Sequence, residues 1–153
     1  GLQLLKAGRA EPTGLIERYR NPRPRLEAGQ RLATIVTAMM DVSDGQLIDA
    51  ARMAMASGCG ATIALDAVPM SDDLLALEGD GRAARLEAAS AGDDYELLFA
   101  ASPAREHEIV ALAEETGLPF TRIGAFETGR GLMLNDRQGP VPLPGRLGFE
   151  HRG

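Results

Sequence analysis

The sequence has no tryptophan, few aromatic residues and a single cysteine, Cys59. One cysteine cannot form a disulfide within the chain, so a reducing, cytoplasmic compartment is the simplest expectation. No apolar run approaches the roughly 20 residues that a membrane-spanning helix needs. We therefore expect no association with a membrane.

Basic residues are too few and too scattered for a protein that binds nucleic acid. The chain carries 16 Lys and Arg against 22 Asp and Glu, and its formal net charge is −6. Binding to a phosphate backbone depends on a basic face that neutralises the phosphates. We therefore expect no nucleic-acid partner.

Three common site patterns are also missing from the sequence. It contains no Cys/His zinc spacing, no Ser/His/Asp arrangement and no G-x-x-x-x-G-K-[ST] phosphate loop. A kinase with this sequence would therefore need a site of another kind. Cys59 has no base patterned beside it, which favours a small buried residue over a nucleophile.

What the chain does contain is a series of strands and helices that alternate. Apolar spacing predicts strands at 35–41, 61–65, 95–100, 120–125 and 132–134, and helices at 45–57, 83–89 and 103–116. The segment 1–33 is predicted to be helical and connecting, and 71–76 to form one or two helical turns. Such alternation indicates a sheet covered by helices.

The most informative segment is 41–45, Asp-Val-Ser-Asp-Gly, where an apolar strand gives way to a helical pattern. A helix start presents backbone N–H groups and the positive end of the helix dipole, which favour phosphate. Asp41 and Asp44 add the carboxylate oxygens that Mg²⁺ prefers and shares with nucleotide phosphates. The segment predicts metal–nucleotide binding, with ordinary helix capping as the alternative. Ser43 and Gln46 have the spacing of a capping box, and we expect Ser43 to be the N-cap.

A second acidic segment, 92–96, has the sequence Gly-Asp-Asp-Tyr-Glu and leads into an apolar strand. Strand ends are where ligands bind in open α/β sheets, so this segment is a candidate part of the same site. The alternative is a turn with solvated acids, because Gly-Asp is a common turn pair.

Four segments together resemble the thiamine-monophosphate kinase family in order and spacing. They are 41–45 followed by Leu47 and Asp49, then Val68-Pro69, then 92–99, and finally 148–151. This family belongs to the ATP-binding superfamily shared with aminoimidazole ribonucleotide (AIR) synthetase and selenophosphate synthetase. The resemblance implies an α+β fold with a mixed β-sheet covered by helices, like the AIR synthetase C-terminal domain. Gln46 and Ala91 depart from the family, which usually has Leu and Gly there.

The resemblance also implies roles for particular residues. Asp41 and Asp44 match Mg²⁺ ligands, and Ser43 matches a position that contacts ATP. Glu96 and Phe149 match residues at the thiamine monophosphate site, where an aromatic face and a carboxylate suit a cationic thiazolium ring. No role follows for three further residues: Asp93, Asp94 and His151.

By this resemblance, residues 1–33 are a helical connector from an N-terminal domain that the sequence lacks, and residues 34–153 are the C-terminal α+β domain. The full-length protein is expected to be a homodimeric kinase that uses ATP and Mg²⁺ to convert thiamine monophosphate to thiamine diphosphate. The fragment alone is expected to be inactive, because further metal ligands lie in the other domain. Two alternatives stay open: a related ATP-dependent synthetase of the same superfamily, and a non-catalytic folded module.

Overall fold

The computed structural model describes residues 1–149, which begin with three short helices. These are α1 (Leu2–Lys6), α2 (Thr13–Arg20) and α3 (Leu26–Leu32). Pro22 and Pro24 separate α2 from α3, because proline cannot continue a helix. The helical character predicted for residues 1–33 is therefore confirmed, while the role of this segment as a connector stays a prediction.

The remaining elements mix strands and helices. In chain order they are β1 (Ala38–Val42), α4 (Gln46–Ala56), β2 (Gly60–Ala64), α5 (Asp72–Glu78), α6 (Arg82–Ser90), β3 (Glu96–Ala100), α7 (Glu106–Thr116), β4 (Gly124–Glu127), β5 (Gly131–Asp136) and β6 (Gly139–Val141). They depart from strict alternation at the consecutive helices α5 and α6 and at the three strands that follow α7. Single 3-10 turns lie at Leu65–Ala67 and Pro103–Arg105.

The strands form two sheets. β1 and β3 make an antiparallel pair, whereas the second sheet has the order β4-β2-β5-β6. In that second sheet β2 is parallel to β5 and antiparallel to β4, and β5 is antiparallel to β6. A mixed sheet with helices is confirmed, but the sequence did not indicate the division into two sheets or the short strand β6.

The core lies where α4 packs against strands of both sheets. α4 contacts β1 and β3 of the first sheet and β2 and β5 of the second. Leu47, Ala50, Met53 and Ala54 stand at helical spacing, so one face of α4 is apolar and buried. Their strand partners in this core include Val42, Ala61, Ile63, Leu98, Leu132 and Leu134. Within residues 1–149, no helix is both long and apolar enough to cross a bilayer.

Three strands begin later than the apolar pattern predicts. The first starts at Ala38 because the N–H groups of Ile35 and Val36 donate to the carbonyl of Leu32 and prolong the turn after α3. The strand predicted from Tyr95 starts at Glu96, because Tyr95 has a left-handed backbone, with φ 53°. The strand predicted at 120–125 starts at Gly124.

Candidate functional site

The two acidic segments meet through their backbones. We call residues 41–45 the first acidic turn and residues 92–96 the second acidic turn. The N–H groups of Asp93 and Tyr95 donate to the carbonyls of Ser43 and Val42, each at 2.8 Å. These bonds continue the antiparallel pairing of β1 with β3, so segments far apart in sequence form one surface.

The segment that contains Phe149 also contacts the first acidic turn. The N–H of Phe149 donates to the carbonyl of Asp44 at 2.7 Å. A Cβ on Gly148 would lie 2.5 Å from that carbonyl oxygen and 2.3 Å from Cγ2 of Ile48, so this approach requires glycine. The Phe149 ring is 51% exposed, and the guanidinium carbon of Arg146 lies 5.4 Å from its centre. Residue His151 lies outside the described residues.

Glycine also allows the two acidic turns to approach each other. A Cβ on Gly92 would lie 2.6 Å from the carbonyl oxygen of Ser43, closer than any side chain can stand. Gly45 has φ 131°, and a Cβ there would lie 3.0 Å from the carbonyl oxygen of Ala91. Both positions therefore hold glycine for a steric reason.

The predicted capping box is wrong. The N-cap of α4 is Gly45, and no side chain caps it in the manner expected of Ser43. Instead Oδ2 of Asp49, inside the first turn of α4, accepts the N–H groups of Ser43 and Asp44 at 3.1 Å and of Gly45 at 3.3 Å. A charged acceptor that gathers three amides outcompetes a single hydroxyl. Among the described residues, Nε2 of Gln46 is buried without a partner.

This arrangement changes the expected phosphate site. The amides just before α4, which the sequence suggested for an anion, already donate to Asp49. The Ser43 side chain, by contrast, has no hydrogen-bond partner among residues 1–149, and it lines a groove. A hydroxyl can both donate and accept, so Ser43 keeps the chemistry needed for a phosphate contact.

Arg52 is a site residue that the sequence analysis missed. Its Nη1 lies 2.5 Å from Oδ2 of Asp44 and 2.9 Å from Oδ1 of Asp49. The hydrogen bond to Asp44, opposed by burial and helped by Asp49, raises the pKa of Arg52. The i,i+3 spacing of Asp49 and Arg52 on a predicted helix was the available signal.

Asp41 and Asp44 carry the oxygen ligands that Mg²⁺ prefers, but they occupy different settings. Asp41 is exposed on β1, whereas the side chain of Asp44 is 14% exposed and ion-paired. Within residues 1–149, no group of three or more His, Cys, Asp or Glu side chains could hold a metal ion. The described residues therefore offer two carboxylates that suit a magnesium ion, but they do not form a complete set of metal ligands.

The second acidic turn has an unusual backbone. Asp93 and Tyr95 adopt left-handed φ values of 67° and 53°, which non-glycine residues rarely adopt. The Tyr95 hydroxyl donates to Oδ1 of Asp93 at 3.3 Å. Such strain persists only where the surroundings hold it, and it is concentrated at functional sites.

Two acids of this turn have pKa values shifted in opposite directions. Burial of the carboxylate raises the pKa of Asp94 to about 6, although Arg18 opposes the shift. Burial acts in the same sense on Glu96, but hydrogen bonds and charge from Arg25 and Arg18 outweigh it and lower the pKa of Glu96. Arg25 binds Glu96 through two nitrogens at 2.9 and 2.8 Å, and Arg18 binds it as well.

A single groove of about 1890 Å³ connects most of these features. Four of the five predicted site residues line it: Ser43, Asp44, Glu96 and Phe149. Asp41 is not among the lining residues. The groove also takes in Arg18 and Arg25, so it presents acidic, basic and aromatic groups within one depression.

Comparison with known proteins gives a consistent family. A model described as AIR synthase related protein, C-terminal domain, matches residues 9–136. The chain is 41% identical over 138 residues to the thiamine-monophosphate kinase of Salmonella typhimurium, covering 90% of this chain and 42% of that protein. A crystal structure of thiamine-monophosphate kinase from Stenotrophomonas maltophilia K279a matches with a TM-score of 0.80 at 36% identity, over 87% of this chain and 45% of that one.

A third match carries ligands. The structure of AaThiL complexed with AMPPCP and TMP has a TM-score of 0.76 at 28% identity, and the match covers 97% of this chain and 46% of that one. In each of these comparisons, the chain spans less than half the length of the protein that it matches.

Proposed function

The chain belongs to the family of AIR synthase related protein C-terminal domains, and from this membership we propose that it is the C-terminal part of a thiamine-monophosphate kinase. The proposed reaction is the ATP- and Mg²⁺-dependent conversion of thiamine monophosphate to thiamine diphosphate. The similar proteins from Salmonella and Stenotrophomonas are named for this kinase. AaThiL, another similar structure, contains AMPPCP and TMP.

The observation that carries the proposal is the meeting of three segments at consecutive carbonyls, those of Val42, Ser43 and Asp44. Phosphoryl transfer depends mainly on positioning and on neutralising charge, with little covalent chemistry for the protein. A rigid surface that gathers acids, a hydroxyl and an aromatic ring suits that task. We assign Asp41 and Asp44 to Mg²⁺ and Ser43 to the phosphates of ATP.

The substrate residues in this proposal are Glu96 and Phe149. Thiamine monophosphate carries a cationic ring and an anionic phosphate. The cluster of Glu96 with Arg18 and Arg25 presents both signs of charge within the groove. The exposed ring of Phe149 supplies a face suited to a flat cation.

The proposal assigns the remaining ligands to another part of the full-length protein. Residues 1–33 would connect to that part, and residues 34–153 would form the C-terminal domain. The chain spans less than half the length of the similar proteins, which supports a further part in the full-length protein. We propose further that the full-length protein is a homodimer located in the cytoplasm.

The direct test is an assay of the full-length protein with ATP, Mg²⁺ and a panel of substrates. Thiamine monophosphate should be phosphorylated, whereas selenide and the ribonucleotide substrate of AIR synthetase should not react. Asp44→Asn should lower kcat/KM by at least about 100-fold, as loss of charge stabilisation in the transition state does. Asp80→Asn is the matched control, because Asp80 also pairs with an arginine at 2.5 Å but lies outside the groove.

Two further measurements separate the alternatives. The 153-residue fragment should show no turnover, and robust conversion of thiamine monophosphate by the fragment would contradict the proposed division of ligands. A Mg²⁺ titration of the full-length protein, followed by NMR, should shift signals near Asp41 and Asp44. The absence of such shifts would favour the non-catalytic module.

A further inference from the structure

Asp49 is the one charged side chain that is fully buried among the described residues, with 0% exposure. It stands on α4 between Ile48 and Ala50, which are buried as well. A carboxylate removed from water is costly unless charge and hydrogen bonds compensate. An acidic residue is ordinary in the first turn of a helix, but the complete burial of Asp49 calls for a reason beyond helix formation.

One oxygen of Asp49 binds the backbone of the first acidic turn directly. Oδ2 accepts the N–H groups of Ser43, Asp44 and Gly45, which immediately precede α4. Three amides that converge on one charged oxygen fix the direction of the backbone more closely than a single capping bond. Asp49 therefore shapes the first acidic turn from within the helix that follows it.

The second oxygen of Asp49 is linked to Asp44 through Arg52. Nη1 of Arg52 lies 2.9 Å from Oδ1 of Asp49 and 2.5 Å from Oδ2 of Asp44. One guanidinium nitrogen thus ties the carboxylate of Asp44, which lines the groove, to a buried anchor. An ionised carboxylate offers several lone pairs, so this bond and a metal contact can coexist on Asp44.

A second i,i+3 ion pair in the chain serves as a comparison, because its carboxylate is not buried. Arg105 and Glu108 pair at 2.6 Å, and the Arg105 side chain is 39% exposed, close to the 40% of Arg52. Glu108, however, is itself 35% exposed, whereas Asp49 is buried. The Arg105 pair also lies outside the first acidic turn, which makes it a natural control.

We propose that Asp49 and Arg52 are positioning residues of the Mg²⁺–nucleotide site. Asp49 fixes the backbone of the first acidic turn, and Arg52 holds the carboxylate of Asp44 in the orientation in which it meets the cation. The inference rests on the proposed function, which supplies the cation. Carboxylates that ligate metals are oriented by outer hydrogen-bond partners, and loss of such a partner lowers metal affinity by about 10- to 100-fold.

The test is a calorimetric titration of Mg²⁺ into the full-length protein in the presence of AMPPCP. Arg52→Met should raise the Mg²⁺ dissociation constant by about 10- to 100-fold. Arg52→Lys keeps the charge but not the planar fork, so it should restore part of the affinity. Arg105→Met should leave the affinity unchanged. In the kinase assay, Arg52→Met should raise the half-saturating Mg²⁺ concentration while kcat at saturating Mg²⁺ stays near the wild-type value.

Several outcomes would overturn the proposal. One is unchanged Mg²⁺ binding by folded Arg52→Met, and another is tighter binding, which would make Arg52 a competitor for Asp44. Absence of Mg²⁺-dependent AMPPCP binding in the wild type would overturn it as well. If circular dichroism shows that Arg52→Met does not fold, Asp49→Asn gives the same readout, because it keeps an acceptor oxygen but loses the charge. The proposed function fails separately if the wild type binds Mg²⁺ and AMPPCP yet does not phosphorylate thiamine monophosphate.

Discussion

The two acidic turns carry similar residues but are held by opposite means. The first is braced by charge: a buried carboxylate on α4 gathers three of its amides, and Arg52 links that carboxylate to Asp44. The second has a left-handed backbone at Asp93 and Tyr95, and its amides bond to carbonyls of the first turn. The first turn is therefore supported by its own helix, whereas the second depends on the first.

The same contrast appears within the second acidic turn. Asp94 and Glu96 are two residues apart, yet the pKa of Asp94 rises to about 6 while that of Glu96 falls. The difference is made by the hydrogen bonds that Glu96 accepts, two from Arg25 and one from Arg18. Acids in one short segment can therefore serve different chemistry, since the arginines around each decide its charge.

Removing the anchor of the first turn should have the largest effect. Asp49→Ala takes the acceptor from three amides and one partner from Arg52, so we expect a loss of about 3 kcal/mol in the free energy of unfolding. Asp93→Ala, the same truncation in the second turn, should cost only about 1 kcal/mol, because Asp93 is exposed and its left-handed backbone suits aspartate somewhat better than alanine. Urea denaturation measures the free energy of unfolding of both variants. Equal losses would show that the two turns do not differ in how strongly a side chain anchors them.

Separating the two turns sterically should have the next largest effect. Gly92→Ala places a Cβ 2.6 Å from the carbonyl oxygen of Ser43, which is backbone and cannot rotate away. We expect a loss of about 1–3 kcal/mol, as for overpacking in a core. Hydrogen exchange at the Asp93 amide should also become faster.

The control for this steric test is Gly145→Ala, because nothing lies within 4 Å of a Cβ at Gly145. It should shift the free energy of unfolding by less than about 0.5 kcal/mol. A tolerated Gly92→Ala with unchanged exchange at Asp93 would show that the turns are not locked together.

The pH dependence of the free energy of unfolding should reveal the raised pKa of Asp94. Its pKa is about 6 when folded, above the ordinary 3.8, so the folded state retains a proton between those values that the unfolded state has lost. The contribution of Asp94 to stability therefore falls as the pH rises from about 4 to about 6. Asp94→Asn should stabilise the protein at pH 8 by about 1 kcal/mol or less, because residue Asp94 as a whole is exposed and solvent screens the charge, even though neighbouring atoms desolvate its carboxylate.

Unfolding measured at pH 4 and pH 8 tests this expectation. The gain from Asp94→Asn should nearly vanish at pH 4, where the carboxyl is protonated in the folded state. An equal gain at both pH values would mean that the charge is not the cause. Glu96 should behave in the opposite sense, because its lowered pKa adds stability that is lost on acidification.

The smallest expected effect is the relief of strain in the second turn. Asp93→Gly allows φ 67° without steric cost, although glycine loses more freedom on folding. We expect a net gain of about 0.5 kcal/mol. Asp73→Gly, in the first turn of α5, should instead cost about 0.5 kcal/mol. A loss at both positions, measured by thermal denaturation, would show that the left-handed backbone carries no strain.

Local patterns predicted the local features of this molecule. The helices α4 and α7 follow from apolar residues at helical spacing, and Gly117, in the left-handed region, ends α7 as expected. The choice of strand partners was not predictable, because β2 pairs with strands far along the chain. Periodicity identifies a strand but does not say which other strand it will join.

The candidate site shows the same limit. The acids, Ser43 and Phe149 were identified from the sequence, and the structure brings most of them to one groove. Asp49 was seen only as a residue of the motif, because burial of a carboxylate is decided by the packing of α4 on two sheets. The predicted capping box was wrong for that reason, because the carboxylate of Asp49 accepts the N–H groups that precede α4.

The parallel pairing of β2 with β5 also sets an order of events during synthesis. Gly60 is made long before its partner Gly131, and β3, which completes the first sheet, lies between them. Contacts between distant segments form slowly, because a long loop must close before they can stabilise anything. During synthesis, β1 and β2 therefore leave the ribosome exit tunnel before the strands that pair with them. The carbonyls of the first acidic turn then have no N–H donors from the second acidic turn. A chaperone that covers the edges of β1 and β2 would meet this chain early.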